Sequence, residues 1–285
     1  EYRADWCDYP SSASGAKEDD CRQSMIKDPS DSQNTSMELT LPKDTIGGSD
    51  GGMAVVVDVK NGSSDTVACS DEPRVQWSLI KLEYDVMFVG SAQSAVRNKR
   101  ASGGEDFYWG KGGKLPGITT YPESPSGCVS VKNGGTERLM WREDGKLYLY
   151  SYSADKEEDC GDYYALDTDL MESDRWYHIT IEATMNDLGK ANGSVNVSVD
   201  NNLAYELTGV LFAKDEATYW DQLHMDCFRG GGDDSWAAPV DSYVAFDNFV
   251  VSGTSASSLL TKKAKKAQTK AGPNRNKKKP AKRKR

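Results

Sequence analysis

Histidine is nearly absent from this chain of 285 residues, which contains only His178 and His224. The six cysteines include no CxxC pair. Structural zinc sites need closely spaced cysteine and histidine pairs, so the even cysteine count fits disulfides better than a metal site. We expect neither a metal ion nor a cofactor. His178 lies in the middle of a strand pattern and is interpreted as a structural residue.

Several other features are missing. No apolar run is long enough to cross a membrane as a helix, and no membrane association is expected. The stretch GKGGK (110–114) is followed by neither Ser nor Thr nor a helix pattern, which excludes a Walker-type phosphate loop. The acidic GGGDDSW (230–236) lacks the spacing of an EF-hand and is interpreted as a solvated loop. A glycoside hydrolase with two carboxylates stays open because acids are abundant, although no spacing pairs them.

Acidic residues are absent from residues 261–285, which contain 13 Lys and Arg. The formal net charge of the whole chain is -9, so residues 1–260 carry -22. The tail has almost no large apolar residue, and we predict that residues 256–285 are disordered. We favour a polybasic arm that binds polyanions over a solvated tail or a nuclear-type signal.

The cysteine count and four N-x-[ST] sequons favour a secreted protein with disulfides. The chain also begins at Glu1 without Met, as expected for a mature form that has lost a signal peptide. The alternative is a cytosolic protein with buried free thiols. Residues 1–36 are polar, contain two cysteines and predict an irregular segment held by a disulfide. We expect a monomer. The sequons are at Asn34, Asn61, Asn192 and Asn196.

Long helical patterns are missing as well, whereas strand patterns dominate the chain from residue 37 to residue 255. Many runs rich in Val, Ile, Tyr, Phe and Thr alternate polar and apolar residues. VDNN (199–202) is typical of a hairpin turn. Many strands with glycine-rich turns predict an all-β, antiparallel sandwich or jelly roll. The predicted strands are 51–59, 77–89, 138–143, 146–152, 175–185, 193–200, 203–212 and 242–252.

The segment between two cysteines, 128–160, predicts its own pairing register. REDGK (142–146) is typical of a turn with Gly145 in the left-handed conformation, and a three-residue loop would pair Arg142 with Lys146. A two-residue turn would slip the register by one and mix the polar and apolar faces. The predicted pairs are Arg138 with Tyr150, Thr136 with Tyr152, Met140 with Tyr148, Leu139 with Leu149 and Trp141 with Leu147.

Opposed residues of an antiparallel pair share a face, so this register separates four large apolar side chains from a face with an arginine, a hydroxyl and a row of tyrosines. That second face is either a solvent-exposed sheet face or a carbohydrate groove. Tyrosine stacks on sugar rings, and arginine binds a carboxylate with two parallel bonds. The same register places Cys128 opposite Cys160 and predicts a disulfide there if the strands extend that far.

FYWGKGGKLPG (107–117) sets Lys111 and Lys114 within a segment constrained by glycine and proline. In a body of charge -22, cations must be concentrated where a polyanion binds. We therefore expect this segment to line the wall of a binding cleft and to supply Lys111 and Lys114 as its cations.

These motifs resemble polysaccharide lyase family 14, the alginate and glucuronan lyases of mollusc and chlorella-virus type. The resemblance is carried by LEYDVMFV (82–89), FYWGKGGKLPG, RLMWREDGKLYLYSY (138–152) and CFRGGGDDSW (227–236) followed by DSYVAFDNF (241–249). It covers roughly residues 50–252. It implies a β-jelly roll with a concave cleft that binds an anionic uronic-acid chain.

The resemblance also implies a set of site residues. The family's lysine falls on Lys114, with Lys111 as the second choice. Thr136 stands where the family has serine, which keeps the hydroxyl but restricts χ1. The implied catalytic residues are Lys114, Arg138, Tyr150 and Tyr152, and substrate binding is expected from Lys111, Thr136 and Tyr148.

A uronate lyase removes the C5 proton and expels O4 by β-elimination, which leaves an unsaturated uronate end. Arg138, helped by Thr136, is the expected neutraliser of the C6 carboxylate. Tyr150 and Tyr152 form the expected proton-transfer pair, and the base stays open between Lys114 and a tyrosine. The polymer and the choice of internal or end cleavage stay open too. The alternative function is a non-catalytic carbohydrate-binding lectin on the same fold.

Overall fold

The computed structural model describes residues 23–27, 35–59, 74–90, 106–121, 125, 127–157 and 160–256. The predictions on Cys7, Cys21, Cys69, Asn34 and Asn61, and on the tail beyond residue 256, lie outside these residues. Within them, no helix has both the length and the apolar character needed to cross a membrane.

Thirteen strands build the described part of the chain, together with one single-turn helix, α1 (Gly47–Asp50), and two short 3-10 turns, Glu143–Gly145 and Asp234–Trp236. The strands are β1 (Gln23–Lys27), β2 (Thr35–Leu41), β3 (Gly52–Asp58), β4 (Trp77–Val89), β5 (Gly113–Thr120), β6 (Thr136–Trp141), β7 (Leu147–Tyr152), β8 (Asp162–Ala165), β9 (Trp176–Thr184), β10 (Gly193–Val199), β11 (Asn202–Val210), β12 (Trp220–Arg229) and β13 (Ser242–Ser255).

The strands form two antiparallel layers. The front sheet has the order β3-β12-β5-β6-β7-β8, and the back sheet has the order β1-β2-β13-β4-β9-β10-β11. A single pair, Trp77 with Trp220, joins the layers into one nearly closed path. One apolar core contains side chains of both layers, and the rings of Phe88 and Trp141 meet across it at 5.7 Å. The predicted all-β jelly roll is confirmed.

Strand prediction succeeded where a run is rich in Val, Ile, Tyr and Phe, whether its partner strands are near or distant in sequence. The predicted strand 77–89 is β4, and the VDNN turn joins β10 to β11 with Asp200 and Asn201 both at positive φ. Along β10 every second residue is buried, as the alternation predicts. The segment 1–36 differs from expectation, because its described residues lie in β1 and at the start of β2 rather than in irregular chain.

Strands β1, β2, β5, β8 and β12 were not predicted. The most important of them is β5, which contains Pro116 and is interrupted by a register shift between Lys114 and Gly117. Proline lacks the N–H that a central strand needs, and a bulge is one of the few places where a sheet accepts it. Gly117 is required by close packing, since a Cβ there would overlap the carbonyl oxygen of Glu137.

The hairpin of β6 and β7 has the predicted register at every pair, from Thr136 with Tyr152 to Trp141 with Leu147. The three-residue loop is also as predicted, with φ of 58° at Asp144 and 79° at Gly145. The Arg142 N–H donates to the Lys146 carbonyl oxygen at 2.8 Å and closes the turn.

The disulfide between Cys128 and Cys160 is present, but the hairpin does not extend to it. After Tyr152 the chain leaves β7 and returns as β8, which pairs with β7 on its other side. Cys160 lies two residues before β8. The bond therefore ties the segment before β6 to the entry of β8, and the predicted continuation of the register to the cysteines is wrong.

Candidate active site

Three cross-strand rows on the front sheet bring together all the predicted catalytic and binding residues except Lys111. We call their shared surface, which faces away from the main core, the site face. Its composition follows directly from the register, since opposed residues point to the same side. The rows are Lys114, Met140 and Tyr148; Gly117, Arg138 and Tyr150; and Thr119, Thr136 and Tyr152.

The site face is not a solvent-exposed sheet surface, which was one of the two interpretations of the hairpin. Thr136 and Tyr152 are fully buried, and Arg138 is 3% exposed. The Tyr152 hydroxyl donates to the carbonyl oxygen of Gly127 at 2.7 Å, so the chain before β6 covers this end of the face. The opposite end, where Tyr148 lies, is only half-buried and stays open to a ligand.

The amine of Lys114 lies beside a sulfur atom and an aromatic ring, with no carboxylate of the described residues in contact to neutralise its positive charge. Its Nζ lies 2.8 Å from the Met140 sulfur and 3.9 Å from the centroid of the Tyr150 ring. Burial, and after it the positive charges of Arg138 and Arg142, lower the pKa of Lys114 to about 7, against a smaller opposing effect of Asp226. Near neutral pH a large fraction of this amine is therefore unprotonated.

The two tyrosines form one hydrogen-bonded chain. The Tyr152 hydroxyl donates its proton to the Gly127 carbonyl oxygen. In the 2.8 Å hydrogen bond between the two hydroxyls, Tyr150 is therefore the donor and Tyr152 the acceptor. The Gly161 N–H donates to the Tyr150 oxygen at 3.2 Å. Burial and the contact with Tyr150 raise the pKa of Tyr152 well above its ordinary value. Tyr152 is therefore a fixed, protonated phenol.

Arg138 is paired with a carboxylate that the sequence analysis did not identify. Its Nη1 donates to Asp226, which is 1% exposed and also lies 3.3 Å from Nδ1 of His224. Burial raises the pKa of Asp226, but the bond with His224 and the charge of Arg138 outweigh it and hold the pKa below its ordinary value. Arg138 and Asp226 thus form a buried ion pair with little net charge.

The signal for these two missed residues is the alternation along β12, where Gln222, His224 and Asp226 follow each other at every second position. Recognising it required β12 to be read as a strand. His224 pairs with Gly117 of β5, which brings this polar side of β12 next to the row of Arg138.

Lys111 is separated from Lys114 in the structure although only two residues lie between them in the sequence. It is exposed, stands in the turn before β5, and donates to Ser235 Oγ at 2.5 Å. Lys114 alone of the two lies among the tyrosines. The first choice for the family's lysine is thus the one that the geometry brings to Arg138 and Tyr150.

Solved structures with this fold include several alginate lyases. Aly36B matches with a TM-score of 0.60 and 22% identity over 76% of this chain and 80% of its own, and a doubly substituted variant of it is known in complex with alginate trisaccharide. The marine PL-14 alginate lyase from Aplysia kurodai matches with a TM-score of 0.62 and 21% identity, covering 81% and 87% of the two chains. Alginate lyase vAL-1 from a Chlorella virus matches with a TM-score of 0.61 and 18% identity, covering 81% and 89%.

The comparison with curated proteins gave no match. The family model of polysaccharide lyase 14, in contrast, matches residues 30–249, which contain all thirteen strands but β1 and the last residues of β13. This match spans most of the chain and includes every residue of the site face. The chain therefore belongs to polysaccharide lyase family 14.

Proposed function

We propose that the protein is a secreted lyase that cleaves a polyuronate, either alginate or glucuronan, by β-elimination at the 4-O-glycosidic bond. The observation that carries the proposal is Lys114, an amine with a pKa of about 7 that lies against Tyr150 on the same face as Arg138. The similar alginate lyase structures support the choice of a uronate polymer.

Lys114 is the base in this proposal. A general base works best when its pKa is near the operating pH and it is partly unprotonated. Lys114 meets both conditions, whereas Tyr152 is a buried phenol whose proton is held by Gly127. The sequence left the base open between Lys114 and a tyrosine. Of these candidates, Tyr152 is therefore a weaker choice than Lys114.

Tyr150 is the proposed acid. When Lys114 takes the C5 proton, the C4–O4 bond breaks, a C4–C5 double bond forms, and the Tyr150 hydroxyl rotates away from Tyr152 and gives its proton to O4. The resulting phenolate is stabilised by the Gly161 N–H and by the new ammonium of Lys114. A proton then returns from Lys114 to Tyr150 through solvent and restores both groups.

Arg138 is proposed to bind the C6 carboxylate with N–H groups that do not face Asp226, while Asp226 holds the guanidinium in place. Thr136 and Tyr152 are proposed to position their neighbours rather than to touch the substrate, because both are fully buried. The Thr136 hydroxyl lies 2.7 Å from that of Thr119. Tyr148, half-buried beside Met140, is proposed to contact the sugar chain.

Incubation with alginate and with glucuronan is expected to produce the ultraviolet absorbance of new C4–C5 double bonds. Lys114→Ala and Tyr150→Phe should each lower turnover by at least about 100-fold, because each removes a proton-transfer group. Lys111→Ala is the matched control, and it should act mainly on KM, since Lys111 is exposed and bonded to Ser235.

Two outcomes would contradict this assignment. Binding of polyuronates without any new absorbance, across a panel of both polymers, would support the carbohydrate-binding lectin instead. Full activity of Lys114→Ala together with loss of activity in Lys111→Ala would move the catalytic lysine by three residues. Circular dichroism of each variant shows whether it keeps the fold.

The dependence of kcat/KM on pH separates two roles of Lys114. A base must be unprotonated, so kcat/KM should rise by about tenfold per pH unit below pH 7 and level off above it, because kcat/KM reports the pKa of the free enzyme. A lysine that instead neutralises the carboxylate must be protonated, and kcat/KM would then fall above pH 7. The initial rate of double-bond formation between pH 5 and pH 9 decides between them.

Lys114→Met should stabilise the protein, and more so at low pH. A lysine whose folded pKa lies below its unfolded pKa opposes folding most strongly below the folded value, and the effect vanishes above the unfolded value. The gain in melting temperature should therefore be larger at pH 6 than at pH 10. Lys111→Met is the control, because its ammonium remains in water. An equal gain at both pH values would show that Lys114 is not desolvated in solution.

The polybasic tail is proposed to hold the enzyme on anionic polymers. Deletion of residues 261–285 removes 13 positive charges, and it should weaken retention on a polyuronate column and flatten the salt dependence of that retention. Cleavage of short oligosaccharides should be unchanged. Loss of thermal stability on deletion would show instead that the tail packs on the body.

A further inference from the structure

At the open end of the site face, beyond the row of Lys114, Met140 and Tyr148, an arginine lies between two aromatic rings. Arg142 follows β6 directly, and its guanidinium carbon lies 4.9 Å from the ring centroid of Trp236 and 5.5 Å from that of Tyr163. Tyr163 in turn meets Tyr148 of the site face at 6.3 Å between ring centroids. We call Arg142, Tyr163 and Trp236 the turn-end platform.

We infer that the turn-end platform is a second uronate subsite, in which Arg142 binds the carboxylate of a sugar unit beyond the one held at Lys114 and Arg138. Tyr163 and Trp236 would supply ring faces for that unit. The inference deepens the proposed function and rests on it for the class of ligand, a chain of uronic acids.

The charge of Arg142 is the first argument. Among the described residues, no carboxylate lies within ion-pair distance of its guanidinium, whereas Arg138 is paired with Asp226 and Arg175 with Asp200. Arg229 also lies over aromatic rings without an acid in the described part of the chain, but it is fully buried, whereas Arg142 is only half-buried at the open end of the site face. Such an arginine keeps its forked N–H groups available for a carboxylate that comes from outside.

The loop 230–236, interpreted from sequence as merely solvated, builds the second wall of the platform. The Asp233 side chain accepts from the Ser235 N–H at 2.8 Å and caps the 3-10 turn that carries Trp236. A Cβ at Gly231 would overlap the Trp236 ring, so the glycine lets the ring approach the loop closely. Ser235 also receives the bond from Lys111, which places a second cation at this edge.

The position along the strand is the third argument. Arg142 lies four residues beyond Arg138, just past the end of β6, which corresponds to about 13 Å between backbone positions at ~3.3 Å per residue. This backbone distance exceeds the length of one sugar ring, so we place Arg142 at a neighbouring unit and not at the unit held at Arg138. Because the other end of the face is covered near Tyr152 and the turn end is open, a bound chain would extend toward Arg142.

The test measures how the increase of kcat/KM with substrate length depends on Arg142. For wild-type protein, kcat/KM should increase from short to long oligouronates. In Arg142→Gln this increase should shrink by about tenfold, mostly through KM, because the variant loses one charge-assisted carboxylate contact of the bound chain. Arg142→Lys should recover part of it, since it keeps the charge but neither the fork nor the ring contacts. Arg175→Gln is the matched control, because Arg175 also lies over a tyrosine, Tyr177, but belongs to the back sheet.

A direct measurement of binding affinity tests the subsite without depending on lyase activity. Titration calorimetry with unsaturated and saturated oligouronates in a Lys114→Ala background should show weaker binding, by about tenfold, when Arg142→Gln is added. If no lyase activity exists at all, this binding difference still supports the subsite. If Arg142→Gln is folded by its melting curve and neither binding nor the chain-length profile changes relative to Arg175→Gln, the inference is overturned.

Discussion

The site depends on one constraint, the register of the hairpin between β6 and β7. Asp144 and Gly145 both take positive φ in its three-residue loop, and this loop sets which residues face each other. A slip by one residue would turn Trp141 away from the core and drive Arg138 into it, which would cost several kcal/mol for the unpaired charge alone. Because β5 is aligned on β6, the place of Lys114 follows from the same loop.

Turn signals and strand composition explain what could be predicted from sequence and what could not. The hairpin contains its own turn and its own alternation, so its register and two faces were predictable. The composition of β5 and β12 hides them, because Pro116 interrupts β5, and acids, an amide and a histidine occupy β12. Missing β12 meant missing Asp226, and with it the fact that Arg138 is not a free cation.

That ion pair changes the electrostatics of the site. Asp226 neutralises the charge of Arg138. The remaining positive charge at the site face comes from cations that form no ion pair with a carboxylate of the described residues. These are Lys111, Arg142 and, when it is protonated, Lys114. These lie toward the open end of the site face. A buried pair gives little attraction at a distance but holds a planar guanidinium in a fixed orientation, which suits a group that must recognise one carboxylate. Orientation and attraction are thus divided between different residues.

The contrast between Lys111 and Lys114 shows how the fold lowers the pKa of the amine that we propose as the base. Both belong to one glycine-rich segment, but β5 begins at Gly113. Lys111 therefore stays in a turn, where its amine is exposed to solvent. Lys114 pairs with Met140 in the sheet, and its amine is removed from solvent. The amine gains no acid in exchange, only a sulfur and an aromatic face, and so its pKa falls toward neutrality. Such a placement opposes folding, and a residue that persists at such a position is expected to serve the chemistry rather than the stability of the sheet.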